Sequence, residues 1–272
     1  MSTFGELAAA YEGVERLETF ADRDSMASYR QAALARTAPQ AAFITNLLER
    51  PSRIVEIGSG NGRLLIELAL RGATTQGLGV ELSRSRTDFA RQWAEEAGCS
   101  EHLAFRNGNA LAVELDPGGW DAVICITGTF AYFDAIDPGS ASRLLDQVHT
   151  ALRPGGVLIL ELYPHPSERR LLAAAGNSIQ TWRELVDDDP WRFYLSALTL
   201  RGDVLTHAKT FIHRSGGSID EGRRERIVLY TPQTIAELLR ASGFTHLAMR
   251  DGWSDTPYAH GEVLVVTASS AR

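Results

Sequence analysis

The chain has 272 residues, enough for one large domain or one domain carrying an insertion. With 44% apolar and 22% charged residues it is composed like an ordinary globular protein, and its formal charge of −7 lacks the basic footprint of a nucleic-acid binder. Cys99 and Cys125 form neither a disulfide framework nor a metal spacing, no apolar run is long enough to span a bilayer, and the N-terminus lacks the basic and apolar parts of a signal peptide. The expectation is a cytoplasmic protein with no membrane or nucleic-acid partner and no metal site; the sequence does not disclose its oligomeric state.

Residues 1–30 are polar and Ala-rich, broken by Gly5 and Gly13, and predict weak helical pieces. Such a segment is either a solvated lead-in or a lid that closes over a site and excludes water. Thr37-Ala38-Pro39 predicts a helix start, with Pro in the first turn and Phe43, Ile44, Leu47 and Leu48 as the apolar stripe. Arg50-Pro51 ends it.

The stretch from Ile54 to Leu65 then reads as an apolar strand, a glycine turn and an apolar helix. That is the nucleotide-binding corner of an open α/β sheet, where glycines let a ligand approach the main chain. The spacing Gly58, Gly60, Gly62 differs from the dinucleotide fingerprint, because Arg63 stands where its third glycine would be. Glu56, just before the first glycine, would repel a pyrophosphate and suits a cationic or amine-bearing ligand. With Glu56 included, the corner resembles motif I, E-x-G-x-G-x-G, of the class I S-adenosylmethionine-dependent methyltransferases.

Downstream features follow in the order this resemblance implies. Gln76 to Leu82 reads as a second strand, and Glu81 at its end lies roughly 20 residues past the glycine turn, where a carboxylate takes ribose hydroxyls. An NAD site would use the same device, so Glu81 points to an adenosine ligand without choosing between cofactors. Ser83 caps a helix to about Ala97, and Leu103 to Asn107 is the third strand. At Asn109 the family usually has an aspartate that accepts from adenine; the asparagine departs from this, although its amide oxygen still accepts. Ala110 and Leu111 would pack on the base.

Trp120 to Ile126 is a continuous apolar strand, as a central parallel strand should be, with Cys125 buried in it. The segment from Thr127 to Phe133 follows, which the resemblance places beside the methyl group. Phe130 and Phe133 are expected in the core, and the Asn/Asp-Pro-Pro-aromatic motif of nucleic-acid amino-methyltransferases is absent. Ser140 is expected to cap a helix with Leu144, Leu145, Val148 and Leu152 inward and His149 at its surface edge. Val157 to Leu162 is the fifth strand, and His165 lies past its C-terminal end, in the zone where ligands bind.

From 167 to 230 the β-α alternation stops. Phe193 to Arg201, Val204 to Arg214 and Arg223 to Tyr230 alternate like strands and predict an antiparallel meander. Leu205, His207, Lys209, Phe211 and His213 share one face of its middle strand. Asp187-Asp188-Asp189 before Pro190 reads as a solvated loop. Thr231-Pro232 starts a last helix, and Phe244 to Met249 and Glu262 to Thr267 are closing strands.

The expected fold is α/β, Rossmann-like: a seven-stranded, mostly parallel sheet with helices on both faces, an N-terminal helical lid and an antiparallel β insertion after the fifth strand. The expected division is a lid at 1–36, a core at 37–166 and 231–272, and a substrate-pocket insertion at 167–230. The resemblance implies S-adenosylmethionine as cofactor, held by Tyr11 and Tyr29 of the lid and by Glu56, Gly58, Ser59, Gly60, Glu81, Leu82, Asn109, Ala110 and Thr127. Tyr132, His165, Trp191, Tyr194 and His207 are the substrate candidates, with His165 as the base if the acceptor needs one. The expected acceptor is a small, partly aromatic metabolite of secondary metabolism, which suits the aromatic surface. The rivals are an NAD-dependent reductase and a non-catalytic binding module.

Overall fold

A computed structural model describes residues 3–12, 20, 22–186, 191–220, 222 and 224–270. The Asp187–Pro190 segment, Gly13 and Arg223 lie outside the described residues. Among those described, no helix is long and apolar enough to cross a membrane.

The chain begins with α1 (Phe4–Tyr11), closed at its start by a reciprocal capping box between Thr3 and Glu6. The next helix, α2 (Arg23–Leu48), is capped by Asp22, whose carboxylate accepts the Ser25 N–H at 2.7 Å. It runs straight through Pro39. The predicted start at Thr37 is therefore corrected: Thr37 is a fully buried helical residue whose Oγ1 donates to the Ala33 carbonyl at 2.7 Å. Proline disfavours a helix interior because it lacks an N–H and crowds the preceding turn. Here Ala33, Ala41 and Ile44 pack both halves of the helix into one core, which overrides the local rule.

The core then alternates: β1 (Ser52–Ile57), α3 (Arg63–Leu70), β2 (Thr74–Glu81), α4 (Arg84–Glu96), β3 (Leu103–Asn107), β4 (Trp120–Cys125), α5 (Tyr132–Ile136), α6 (Ser140–Ala151) and β5 (Leu152–Leu162). After the insertion come α8 (Pro232–Ala241), β11 (Phe244–Asp251) and β12 (Leu264–Ser270). The seven strands lie in the order β11-β12-β5-β4-β1-β2-β3. All pairs from β5 to β3 are parallel; β12 runs antiparallel to both β5 and β11.

Side chains alternate across this sheet as the pleat requires. Ala122 and Ile124 of β4 join the core under α2, α3 and α4, whereas Val123 and Cys125 join the core under α6 and α8. Helices thus cover both faces, and every residue of β4 is buried. The strand order reverses at β1, whose neighbours β2 and β4 lead away in opposite directions. An open crevice forms at the carboxyl ends of strands at such a point, and the glycine turn sits at that end of β1. At the start of α6 the cap position is Gly139 (φ 83°), and Ser140 is the first helical residue, not its cap. His149 is half-buried against Phe244, with ring centroids 5.2 Å apart, and is not a surface residue.

The insertion holds α7 (Pro166–Ala174), β6 (Ser178–Glu184), β7 (Trp191–Arg201), β8 (Val204–His213), β9 (Ile219–Asp220) and β10 (Arg224–Val228). They form a second, antiparallel sheet in the order β10-β8-β7-β6, with β9 on β8. The sequence pattern missed β6. Most of its residues are exposed, so no apolar alternation marks it. Leu172 of α7 packs on one face of this sheet with Leu205 and Leu229.

Candidate active site

Two cavities meet at the carboxyl ends of the parallel strands. The first, of about 270 Å³, lies over the glycine turn and is lined by residues of β1 and β2, the loops that follow the parallel strands, α1 and α2. The second, of about 1070 Å³, lies between α1 and the insertion sheet. Leu7 and Tyr132 line both, so the two cavities adjoin at these residues.

The turn after β1 takes the left-handed region at Gly58 (φ 70°), Gly60 (φ 54°) and Gly62 (φ 79°), which only glycine enters without strain. A Cβ on Gly58 would meet the Thr129 side chain at 2.4 Å. Gly60 has nothing closer than Arg86 at 3.8 Å, so its backbone faces the cavity. The turn is braced by Glu81. One of its oxygens accepts the Gly60 N–H and the other the Ser83 N–H, each at 2.9 Å.

Glu56 is 2% exposed and its Oε2 has no hydrogen-bond partner. Burial pushes its carboxyl up to about 8; Arg63 pulls it down and the neighbouring Glu81 adds to the rise. A buried carboxyl with an unmet oxygen, lining a cavity, is an acceptor waiting for a donor. These acceptors fit a cationic amine at Glu56 and a hydroxyl-bearing group at Glu81, and the glycine turn leaves room for a ligand along the backbone.

Asn109 also lines this cavity, but its oxygen accepts the Leu111 N–H at 3.1 Å and caps the short 3₁₀ turn at Ala110–Ala112. Asn109 thus forms the turn, and one lone pair of its oxygen stays available. Ser59, Leu82, Ala110 and Thr127 line the same cavity. Thr127 is held with φ 56° by its N–H, which donates to Glu161 at 2.6 Å.

The N-terminal helix lines one side of the cavity with Phe4, Leu7 and Tyr11. Glu12, at its end, accepts the Arg84 and Ser85 N–H groups, each at 3.0 Å, at the N-terminus of α4. Slight burial alone would raise this carboxyl, yet these hydrogen bonds hold it below its usual range. Arg86 lies over the Tyr11 ring at 4.9 Å, and Phe4 packs on Phe133 with centroids 5.7 Å apart. The Tyr11 and Tyr132 hydroxyls are 3.1 Å apart. Tyr29 reaches the cavity from α2, and its hydroxyl accepts from Asn61 Nδ2 at 3.1 Å.

Of the substrate candidates, Tyr132 alone lines either of these two cavities. His165 takes a left-handed conformation (φ 49°, ψ 54°) at the start of α7, which turns its ring toward Glu168, 3.6 Å away. With Glu168 and Glu262 it forms a polar group outside both cavities. His207 lies on the other face of the insertion sheet from the cavity, bonded to Ser196 at 2.8 Å and Tyr194 at 3.2 Å. Burial, and then Lys209, lower its pKa. Trp191 packs against Phe211 and His213, and Tyr194 against Phe211, again away from the cavity.

Arg63 escaped the sequence reading, although it was visible as the residue replacing a glycine. From the start of α3 it donates to Thr37 and, at 3.1 Å, to Gln40, tying α2 to the turn. Arg36 and Arg86, which also line the cavity, carried no sequence signal because isolated arginines on helices are usually solvated.

Comparison with known proteins agrees with this geometry. Residues 54–156 match the family model described as a methyltransferase domain. The demethylmenaquinone methyltransferase of Deinococcus radiodurans is 25% identical over 206 residues, 75% of this chain and 73% of that protein. Among solved structures, the CcbJ methyltransferase from Streptomyces caelestis superposes with a TM-score of 0.69 at 19% identity, covering 86% of this chain and 89% of that one. CalS10 from Micromonospora echinaspora, an amino pentose methyltransferase solved with S-adenosylmethionine bound, gives 0.59 at 19% identity, covering 84% and 89%.

Proposed function

The chain carries a class I S-adenosylmethionine-dependent methyltransferase domain, and from that premise we propose that it transfers the methyl group to N, O or an electron-rich C of a small acceptor held in the second cavity. The observation that carries this reading is the junction of the two cavities at Tyr132 and Leu7. One cavity suits the cofactor, the other is large enough for a metabolite, and Leu7 and Tyr132 line both.

When bound, S-adenosylmethionine supplies an electrophilic methyl on a sulfonium that leaves readily in an in-line displacement. The protein's task is then orientation and exclusion of water. In this reading Glu56 accepts from the α-ammonium through its unmet Oε2, and the glycine turn leaves space for the amino-acid part. Glu81 accepts from the ribose hydroxyls. Asn109, Ala110 and Leu82 take the adenine, and Thr127 and Ser59 line the remaining wall. Tyr11 and Tyr132 place paired hydroxyls where they can orient the acceptor's polar atom. Tyr29 supports the turn through Asn61. Helix α1, held by Glu12, keeps solvent from the reacting atoms.

No base is assigned to His165, since its ring faces Glu168 outside both cavities. An acceptor that is a neutral amine, or an electron-rich carbon, needs none before the displacement. A small metabolite of a biosynthetic route fits a cavity of this size beside α1.

The test is transfer of a labelled methyl group from S-adenosylmethionine to a panel of small amines, phenols and indoles. The expected result is a labelled product from at least one member, with turnover reduced by roughly tenfold in Tyr132→Phe, the loss of one positioning hydrogen bond. A wild-type enzyme that binds the cofactor but labels no small acceptor, while labelling intact proteins, would contradict the small-molecule reading.

A further inference from the structure

We propose that the acceptor carries an anionic group, a carboxylate or phosphate, bound by Arg201, Arg224 and Arg226 on the insertion sheet; this rests on the methyl-transfer reading of the adjoining cleft.

The strand register puts these side chains together. Arg201 of β7 pairs with Val204 of β8, while Arg226 and Arg224 of β10 pair with Thr206 and Ala208 of β8. Directly paired residues point to the same side of a sheet, and alternate residues along one strand do too. All three arginines therefore share the face that carries Val204, Thr206 and Ala208, and all three line the second cavity. The intervening residues on that face are small, which is why a volume of about 1070 Å³ is left in front of the guanidinium groups.

The charge there is not neutralised from within. Glu225 pairs with Lys209 at 3.2 Å, and Glu6 accepts the Thr3 N–H at 2.7 Å as part of the α1 cap. Among the described residues, none of the three arginines has a carboxylate within ion-pair distance. A chain with a formal charge of −7 thus presents a locally positive wall to the cavity beside its cofactor cleft. Like charges gathered on one wall repel, and an anion that bridges them relieves the repulsion while forming charge-assisted hydrogen bonds. Guanidinium forks match the planar oxygens of carboxylates and phosphates. The acceptor would lie with its nucleophilic atom at Tyr132 and its anionic end on β10 and β7.

The experiment is titration of the S-adenosylhomocysteine complex at low ionic strength with inorganic pyrophosphate and, separately, succinate. Wild type is expected to bind at least one of the two, and Arg224→Gln with Arg226→Gln to weaken that binding by about tenfold or more. Arg201→Gln alone should weaken it by a smaller factor. Arg240→Gln, on the exposed side of α8, should leave it unchanged. Tighter binding of pyrophosphate points to a phosphoryl group on the acceptor, and tighter binding of succinate to a carboxylate. Equal binding by wild type and the double variant, or no binding of either anion by wild type up to about 10 mM, would overturn the proposal. S-adenosylhomocysteine affinity, measured on the same samples, should be the same in all variants. Its absence in wild type would overturn the cofactor assignment, while the same anion titration without it still decides the arginine site.

Discussion

Glu81→Ala is expected to weaken S-adenosylhomocysteine binding by about a hundredfold or more. The carboxylate has two jobs. It accepts the Gly60 and Ser83 N–H groups, fixing the glycine turn against the start of α4. Its remaining lone pairs face the cavity, where the proposed ribose hydroxyls would donate to them. A hydrogen bond to a charged group contributes roughly 1.5–3 kcal/mol, and losing two such bonds to the ligand gives two or more orders of magnitude in affinity. Glu81→Gln keeps one acceptor oxygen and should recover part of the loss. Calorimetric titration of the three proteins checks this. Unchanged affinity in Glu81→Ala would remove this residue from the ribose site.

The second large effect has opposite signs on stability and binding. The Glu56 carboxyl is raised by burial from its ordinary 4.5 to about 8 in the folded chain. Below pH 4.5 it is protonated in both folded and unfolded states and carries no penalty. As pH rises from there toward 8, the unfolded chain releases the proton and the folded chain keeps it, so stability falls across that window. At about 1.4 kcal/mol per pH unit, the loss reaches a few kcal/mol by pH 8. Glu56→Gln removes the titration. The ligand-free variant is therefore expected to be more stable than wild type at pH 8, by on the order of 2 kcal/mol, and nearly equal to it at pH 4.5. The same substitution should weaken S-adenosylhomocysteine binding by roughly 10- to 100-fold, because the proposed carboxylate–ammonium pair is gone. Wild type should release a proton on binding near pH 7, since the ammonium favours the ionised carboxylate. Urea unfolding at the two pH values, with calorimetry in buffers of different protonation enthalpy, measures all three. A variant less stable at pH 8 and binding normally would contradict both the burial argument and the assigned role.

The sequence made the cavity over the glycine turn legible because its form lies in backbone conformation and strand ends. Three alternate glycines with φ between 54° and 79° leave a pattern that few other structures require. Glu56 and Glu81 were visible because strand ends are fixed by apolar runs. The cavity beside the insertion was harder to read, for reasons that are equally physical. Period-two alternation shows that Leu205, His207 and Lys209 share a face, but not which face turns to the cavity. The even residues Val204, Thr206, Ala208 and Thr210 line it, joined at its edge by Lys209, while Leu205 on the His207 face packs on Leu172 of α7. The exposed strand β6 left no apolar signal at all. His165 stood in the right zone after β5, yet one left-handed residue redirects its ring to Glu168. Pro39 shows the converse error, a local rule that tertiary packing overrides along α2.

Titration of the wild-type protein with S-adenosylhomocysteine and with NAD tests the central claim most directly. The account predicts a one-to-one complex with the adenosyl ligand in the micromolar range or tighter, roughly 8 kcal/mol, and no heat from NAD. Binding of NAD with no response to S-adenosylhomocysteine would contradict it, and would mean that the glycine turn cradles a pyrophosphate in spite of Glu56.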